Sequence, residues 1–271
     1  MIKINGEVVN TKKFPDGTLL LKEDVSYDFK NYREATITWL FEDNEELVTL
    51  IYIVKHLNSH GITNLYLNMP YIPNSRQDRV KTTEDVFTLK YFAEVINWLN
   101  FDSVTVLDPH SSVSEALIDR VLIKYPDKYV WKAIESEYIG GTNNLTMFYP
   151  DEGAMKRYST MFDLPYAFGI KKRDWETGEI KGLDVSGMTN LIKGRKILIV
   201  DDISSRGGTF YHSAIKLKEL GAKEIYLYVS HCENTILEGE VLSSGLIDRV
   251  FTTNSIFTKE HEKVEVFEYD E

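Results

Sequence analysis

Two adjacent carboxylates, Asp201 and Asp202, follow the run Lys196-Ile197-Leu198-Ile199-Val200 and precede Ser204-Ser205-Arg206-Gly207-Gly208-Thr209. The apolar run reads as a buried parallel strand, the small residues as a turn, and a helix is expected from about Thr209. That order sets the acids at the C-terminal edge of a sheet, where α/β folds bind ligands. It also aims free N–H groups at a helix N-terminus, where phosphates bind. Carboxylates so placed can accept from sugar hydroxyls or ligate Mg²⁺, while glycines let the backbone approach a phosphate closely. An ordinary strand–turn–helix with an acidic surface turn is the competing reading, and the paired acids with their small-residue loop weigh against it. Gly-Lys-Ser/Thr is absent, so this is not a Walker A loop.

Four further groups have the residue types for phosphate chemistry. Arg76-Gln77-Asp78-Arg79 follows a strand candidate and offers a planar guanidinium fork for phosphate and an amide for a base or hydroxyl. Asp108-Pro109-His110 follows Val104-Thr105-Val106-Leu107. Asp151 follows Thr146–Tyr149 and opens a helix near Gly153–Phe162, as a metal-bridging carboxylate, an N-cap, or both. Lys171-Lys172-Arg173 ends the run Tyr166–Ile170, where cations can neutralise a transferring phosphate. Near the start, Phe14-Pro15-Asp16-Gly17-Thr18 provides a ring for stacking on a base and a carboxylate to accept from an amine. A Pro-Asp-Gly turn explains that segment equally simply.

Together these segments resemble the ribose-phosphate diphosphokinases, or PRPP synthetases, whose fold is shared with type I phosphoribosyltransferases. Met69-Pro70-Tyr71 through Arg76-Gln77-Asp78-Arg79 is similar to the family's Pro-Tyr-x-x-x-x-Arg-Gln-Asp-Arg/Lys, which simple phosphoribosyltransferases lack. Asp108-Pro109-His110 resembles Asp-Leu-His, Tyr149-Pro150-Asp151-Glu152-Gly153-Ala154 resembles Ser-Pro-Asp-x-Gly-Gly, and Phe14–Thr18 resembles Phe-Ser-Asp-Gly-Glu. The resemblance runs from about Phe14 to about His231. It implies Mg²⁺-dependent transfer of the β,γ-diphosphate of ATP to the 1-hydroxyl of a 5-phosphorylated ribose, with release of AMP. It further implies that Phe14, Asp16, Arg76, Gln77 and Asp78 bind ATP and that Lys171, Arg173 and His110 are catalytic. The ribose phosphate would lie on Asp201, Asp202 and Ser204 through Thr209, and metal on His110, Asp151, Asp201 and Asp202.

Three positions in two loops depart from the family in ways that bear on its ligands. Its loop commonly reads Asp-Asp-x-x-Asp-Thr-x-Gly-Thr, and here Ser205 and Arg206 replace the third Asp and the first Thr. The added guanidinium suits either the single phosphate of ribose 5-phosphate or the second phosphate of ADP-ribose, whose product would be ADP-ribose 1-pyrophosphate. Thr18 replaces the glutamate of the N-terminal loop. Two other readings stay open: a phosphoribosyltransferase using PRPP and a base such as nicotinamide, and a non-catalytic protein of the kind associated with PRPP synthetases.

The elements that must position these groups alternate strand and helix. Ala35–Leu40, a helix near Glu45–Ser59, Asn64–Met69, Thr88–Leu99 and Ser103–Leu107 give one βαβαβ series. Thr146–Tyr149, Tyr166–Ile170, Lys196–Val200, a helix near Thr209–Leu220 and Glu224–Ser230 give another. The expected fold is α/β, with two tandem phosphoribosyltransferase-type (Rossmann-like) domains, each a mainly parallel sheet flanked by helices. Their boundary is expected at Ile139/Gly140, giving domains 1–139 and 140–271, with the last ~15 residues returning to the first and Val264-Glu265-Val266-Phe267 as an edge strand. Polar Lys171–Met188 reads either as an active-site lid or as a surface hairpin.

The chain has 271 residues and a formal net charge of −11, which disfavours nucleic-acid and anionic-membrane partners. Its single cysteine, Cys232, excludes an internal disulfide and a multi-cysteine zinc site. With no apolar run long enough to span a membrane and no signal-like N-terminus, a cytoplasmic homo-oligomer, dimer or higher, is expected. His56, His60, His212 and His261 carry no motif.

Overall fold

The computed structural model describes residues 1–22, 33–173 and 180–270, and the side chains of residues 171–173 and 180–182 lie outside that description. The chain divides into two compact units, residues 1–124 with Asp270, and residues 125–269.

In the first unit, short antiparallel strands β1 (Ile2–Ile4) and β2 (Glu7–Val8) precede a hairpin of β3 (Thr11–Lys13) and β4 (Leu19–Leu21). Then follow β5 (Glu34–Trp39), α1 (Glu45–Ser59), β6 (Asn64–Asn68), α2 (Thr88–Leu99), β7 (Ser103–Leu107), α3 (Ser112–Leu117) and β8 (Val121–Lys124). The sheet order is β2-β1-β5-β6-β7-β8, parallel from β5 to β8. Helix α1 buries Leu50, Ile53, Val54 and Leu57, and α2 buries Leu89, Phe92, Ala93, Ile96 and Leu99, the three- and four-residue spacing of a single apolar stripe. Both stripes pack with Ile37, Trp39, Leu65, Leu67, Val104 and Val106 in one core. Asn100, in the left-handed conformation at φ 58°, ends α2 and turns the chain into β7.

The second unit contains α4 (Asp127–Glu135), β9 (Leu145–Tyr149), α5 (Glu152–Tyr158), β10 (Tyr166–Arg173), β11 (Ile180–Gly187), β12 (Lys196–Ser204), α6 (Gly208–Glu219), β13 (Glu224–Cys232), α7 (Glu240–Ser243), β14 (Arg249–Thr253) and β15 (Val264–Phe267). Its sheet order is β11-β10-β9-β12-β13-β14-β15, parallel except for the β10–β11 pair. Every residue of β9 is buried, as expected of a strand covered on both faces.

The structure bears on the sequence expectations at three places. The units part between Lys124 and Tyr125, ahead of Ile139/Gly140, because α4 packs on the second sheet. Tyr129 stacks with Phe267, and the Tyr138 carbonyl accepts from Lys196 Nζ at 3.1 Å and Tyr226 Oη at 2.9 Å. Val264–Phe267 forms an edge strand as expected, extending the second sheet beside β14, and of the last residues it is Asp270 that groups with the first unit. Of the segment Lys171–Met188, the described residues pair as antiparallel β10 and β11, with Lys171 opposite Leu183 and with Leu183 and Val185 packed on the core of the second unit, in line with the hairpin reading; residues 174–179 lie outside the described residues. Among the described residues, no helix is long and apolar enough to cross a membrane.

Candidate active site

In the second unit, β9 leads to β10 on one side, whereas β12 leads to β13 on the other, so the strand order reverses between β9 and β12. At such a switch point the loops beyond the two carboxyl ends separate and leave a crevice, where open α/β sheets bind ligands. Asp151 and the Asp201–Asp202 pair follow or end these two strands. Lys171 and Arg173 lie on the far end of β10, next to β9; their backbone pairs with β11, and their side chains are outside the described residues.

Strand β12 continues through the acids to Ser204, beyond the expected end at Val200. Asp201 pairs with Val229, Ser204 pairs with Cys232, and Glu233 donates N–H to Ser204 O at 2.8 Å. The acids therefore stand on a rigid strand. Asp202 is buried and lies 3.5 Å from Arg157 Nη1 on α5. Burial, reinforced by the neighbouring Asp202 and then Asp151, raises the Asp201 carboxyl well above the ordinary carboxylate range. Asp202 N–H donates to Asp201 Oδ1 at 3.0 Å.

Asp151 caps α5 by accepting from Ala154 N at 3.0 Å. The residue after its neighbour must be small: a Cβ on Gly153 would lie 3.2 Å from Asp151 Oδ1. Capping leaves lone pairs on the carboxylate, so the structural role and a cation-binding role are compatible.

After Ser204 the chain turns at Gly207, whose φ of 77° is left-handed, and enters α6 at Gly208. The turn is backed by the segment from Asn234 to Ser243. Ser205 Oγ lies 3.2 Å from Thr235 Oγ1, Arg206 Nη2 donates to Glu238 Oε2 at 2.9 Å, and a Cβ on Gly207 would lie 2.2 Å from Val241 Cγ2. Ser204 Oγ is buried and donates to Ser205 O at 3.1 Å. The hydroxyls of Ser204 and Ser205 thus hold the turn itself. The first-turn N–H groups of α6, at Gly208 and Thr209, have no intrahelical acceptor by construction and carry the positive end of the helix dipole.

In the first unit, the segments after β6 and β7 share one sheet edge, since these parallel strands are neighbours and Leu107 N–H donates to Pro70 O at 3.0 Å. The Arg76-Gln77-Asp78 and Asp108-Pro109-His110 segments both continue from that edge. Asp108 is buried in a left-handed conformation, φ 41°, and its N–H donates to Lys124 O at 2.9 Å. A cleft of about 210 Å³ is lined by Arg76, Gln77, Arg79, Lys81, Asp85 and Val86. Asp85 accepts from Lys81 N at 2.7 Å and Thr82 N at 2.8 Å, which holds its carboxyl below the usual range and shapes the loop. The Gln77 amide oxygen accepts from Thr88 Oγ1 at the start of α2.

Phe14–Thr18 forms the tip of the β3–β4 hairpin, with Phe14 48% exposed. Asp16 Oδ1 accepts from Thr18 N at 3.0 Å and Thr18 Oγ1 at 2.7 Å, and both bonds lower its pKa. Thr18, in place of the family glutamate, is thereby committed to its own turn.

Among the described residues, no group of three or more His, Cys, Asp or Glu side chains is arranged to hold a metal ion. Sequence reasoning also passed over Arg157, Thr235 and Glu238. Arg157 lies on the helix that Asp151 caps, and its Nη1 comes within 3.5 Å of Asp202. Thr235 and Glu238 carry no sequence signal, because their closeness to Ser205 and Arg206 arises only from the parallel β12–β13 pairing.

Residues 154–270 match the family model described as the phosphoribosyl transferase domain. Ribose-phosphate pyrophosphokinase of Pyrococcus abyssi is 28% identical over 99% of this chain and 91% of its own length. The enzyme of the same name from Bacillus subtilis is 28% identical over 83% of this chain and 70% of its own. The crystal structure of phosphoribosylpyrophosphate synthetase from Mycobacterium smegmatis has the same fold, with a TM-score of 0.76 over 96% of this chain and 86% of that one, at 19% identity. The expected α/β architecture of phosphoribosyltransferase type is therefore the observed one, and the similarity to ribose-phosphate pyrophosphokinases spans both units. The chain is thus similar to the ribose-phosphate pyrophosphokinases over nearly its whole length and carries a phosphoribosyl transferase domain over residues 154–270.

Proposed function

We propose that the chain is a diphosphotransferase that moves the β,γ-diphosphate of ATP to the anomeric hydroxyl of a 5-phosphorylated ribose. The observation that carries this reading is the β12–α6 junction, with Asp201 and Asp202 fixed at a strand end and α6 opening immediately behind a left-handed glycine. The anomeric oxygen bonds to the β-phosphorus, the bridging P–O bond to the α-phosphate breaks, AMP leaves, and the hydroxyl proton passes to solvent. Asp201 and Asp202 accept from the ribose hydroxyls. The N–H groups from Ser205 to Thr209 hold the 5-phosphate, and Lys171 and Arg173 offset the charge that grows on the transferring group. Arg76, Gln77, Asp78, Phe14 and Asp16 hold ATP, with His110 at its phosphates. Positioning and charge neutralisation carry the acceleration, so the site needs no strong base.

The donor set fits a hard cation. In the second unit Asp151, Asp201 and Asp202 offer carboxylate oxygens on neighbouring strands, where Asp201 gains most from a positive neighbour, and in the first unit His110 is a separate candidate ligand. Mg²⁺ held on these residues would supply neutralisation of diphosphate charge.

Ribose 5-phosphate and ADP-ribose are the two acceptors to compare. The exposed guanidinium of Arg206, 71% accessible beside the phosphate turn, favours an acceptor with a second phosphate. Release of AMP from ATP with each acceptor, with Lys171→Ala as control, tests the reading. AMP release with ADP-ribose and loss of it in the control are expected. No release with either acceptor would remove the catalytic reading, and release with ribose 5-phosphate alone would remove ADP-ribose.

A further inference from the structure

We infer that Glu238 is a specificity-determining residue, an internal anion that occupies Arg206 until the second phosphate of an acceptor displaces it. The inference rests on the reading of Ser205–Thr209 as the acceptor's phosphate turn. Arg206 Nη2 lies 2.9 Å from Glu238 Oε2, and both side chains are largely exposed, at 71% and 59%. The two backbones are pressed together beneath the pair. A Cβ on Gly239 would lie 1.9 Å from Arg206 O, Ser205 Oγ lies 3.2 Å from Thr235 Oγ1, and Gly207 abuts Val241. Thr235 Oγ1 in turn donates to Glu233 Oε2 at 3.2 Å, and Asn234 Nδ2 donates to Thr258 Oγ1 at 2.9 Å. Glu238 is therefore set against Arg206 by the packing of two chain segments, and does not reach it as a loose side chain.

The strength of this pair decides its role. An exposed ion pair shifts an equilibrium by at most about fivefold, weak enough for a phosphate to replace the carboxylate and strong enough to tax that replacement. A diphosphate can meet the guanidinium in bidentate geometry with more charge than one carboxylate offers. A 5-monophosphate is already served by the N–H groups at the start of α6 and has no second phosphate with which to claim Arg206. Glu238 thus sets the relative use of the two acceptors without touching either.

The test measures KM for ADP-ribose and for ribose 5-phosphate with the full chain as wild type, Glu238→Gln, Arg206→Gln and the double variant. Glu238→Gln keeps size and exposure, so the fold is retained, and thermal melts verify this for all four proteins. The ratio of the ribose 5-phosphate KM to the ADP-ribose KM should rise about two- to fivefold in Glu238→Gln, the range of an exposed ion pair. It should fall in Arg206→Gln, and Glu238→Gln should then have no further effect. An unchanged ratio in Glu238→Gln, or the same rise in the absence of Arg206, overturns the inference while leaving the acceptor reading in place. A wild type that does not turn over ADP-ribose removes the acceptor reading first, and Glu238's role with it.

Discussion

Asp201, whose carboxyl burial pushes well above the ordinary range, carries a penalty that shows when pH rises. The folded state binds the proton more tightly than the unfolded chain, so stability is greatest below the unfolded pKa. It falls as pH climbs through the raised folded value. Asp201→Asn should therefore raise Tm in metal-free buffer at pH 7 by ~2–4 °C, corresponding to about 1 kcal/mol in a chain of this size. The gain should vanish near pH 3, where both proteins are neutral at this position. The same variant should lose kcat/KM by about 10²-fold or more, because the ribose hydroxyls and cation lose their partner. An Asn variant no more stable than wild type at pH 7 would show that Asp201 is not under this strain. Cys232 provides a separate check. Burial pushes its thiol far up, so a thiol reagent should label the native protein at well under a tenth of the rate of the denatured chain, by about the thiolate fraction and access lost.

At the scale of elements, the acceptor turn depends on two neighbouring glycines with different demands. Gly207 has a φ of 77° and faces Val241, where a Cβ would come within 2.2 Å, whereas Gly208 has open space. Gly207→Ala should cost ~1–3 kcal/mol of stability and raise the acceptor KM at least tenfold, while Gly208→Ala should be nearly silent. Chemical denaturation and acceptor titrations distinguish them, and equal effects would contradict the turn geometry. The strand–acid–turn–helix order was legible in the sequence because each part has a local cause: an apolar run, paired acids, glycines and a helical stripe. The observed α1 and α2 also coincide with the expected Glu45–Ser59 and Thr88–Leu99. Local causes were absent for Arg157, Thr235 and Glu238, whose roles depend on which strands pair. The same limit explains Lys171–Met188, where Leu183 and Val185 alternate too briefly to distinguish an inward-facing strand from a polar loop.

The placement of α4 governs the molecule as a whole. Tyr129, Val130 and Ile134 are completely buried, and each such side chain contributes roughly 1.5–3 kcal/mol. Removing them together approaches the whole stability of an ordinary domain, about 5–15 kcal/mol. A fragment beginning at Tyr125 should melt cooperatively by circular dichroism, and one beginning at Gly140 should not. Equal cooperativity would return the boundary to Ile139/Gly140. Glycine and asparagine at Gly140, Gly141 and Asn144 marked a real bend, with φ of 72°, 94° and 59°, but that bend lies inside a unit and not between two. Composition signals where a chain turns; only the buried contacts of α4 show to which core the preceding helix belongs.

The reversal of strand order between β9 and β12 also has a consequence for synthesis. Strand β9 leaves the ribosome before β10 and β11, yet the neighbour on its other side, β12, is made only after both. Until translation reaches Ile199, the fully buried strand Leu145-Thr146-Met147-Phe148-Tyr149 keeps one hydrogen-bonding edge unsatisfied, a template for wrong partners. The crevice that serves the finished protein is therefore, in the nascent chain, the place where a chaperone has most to shield.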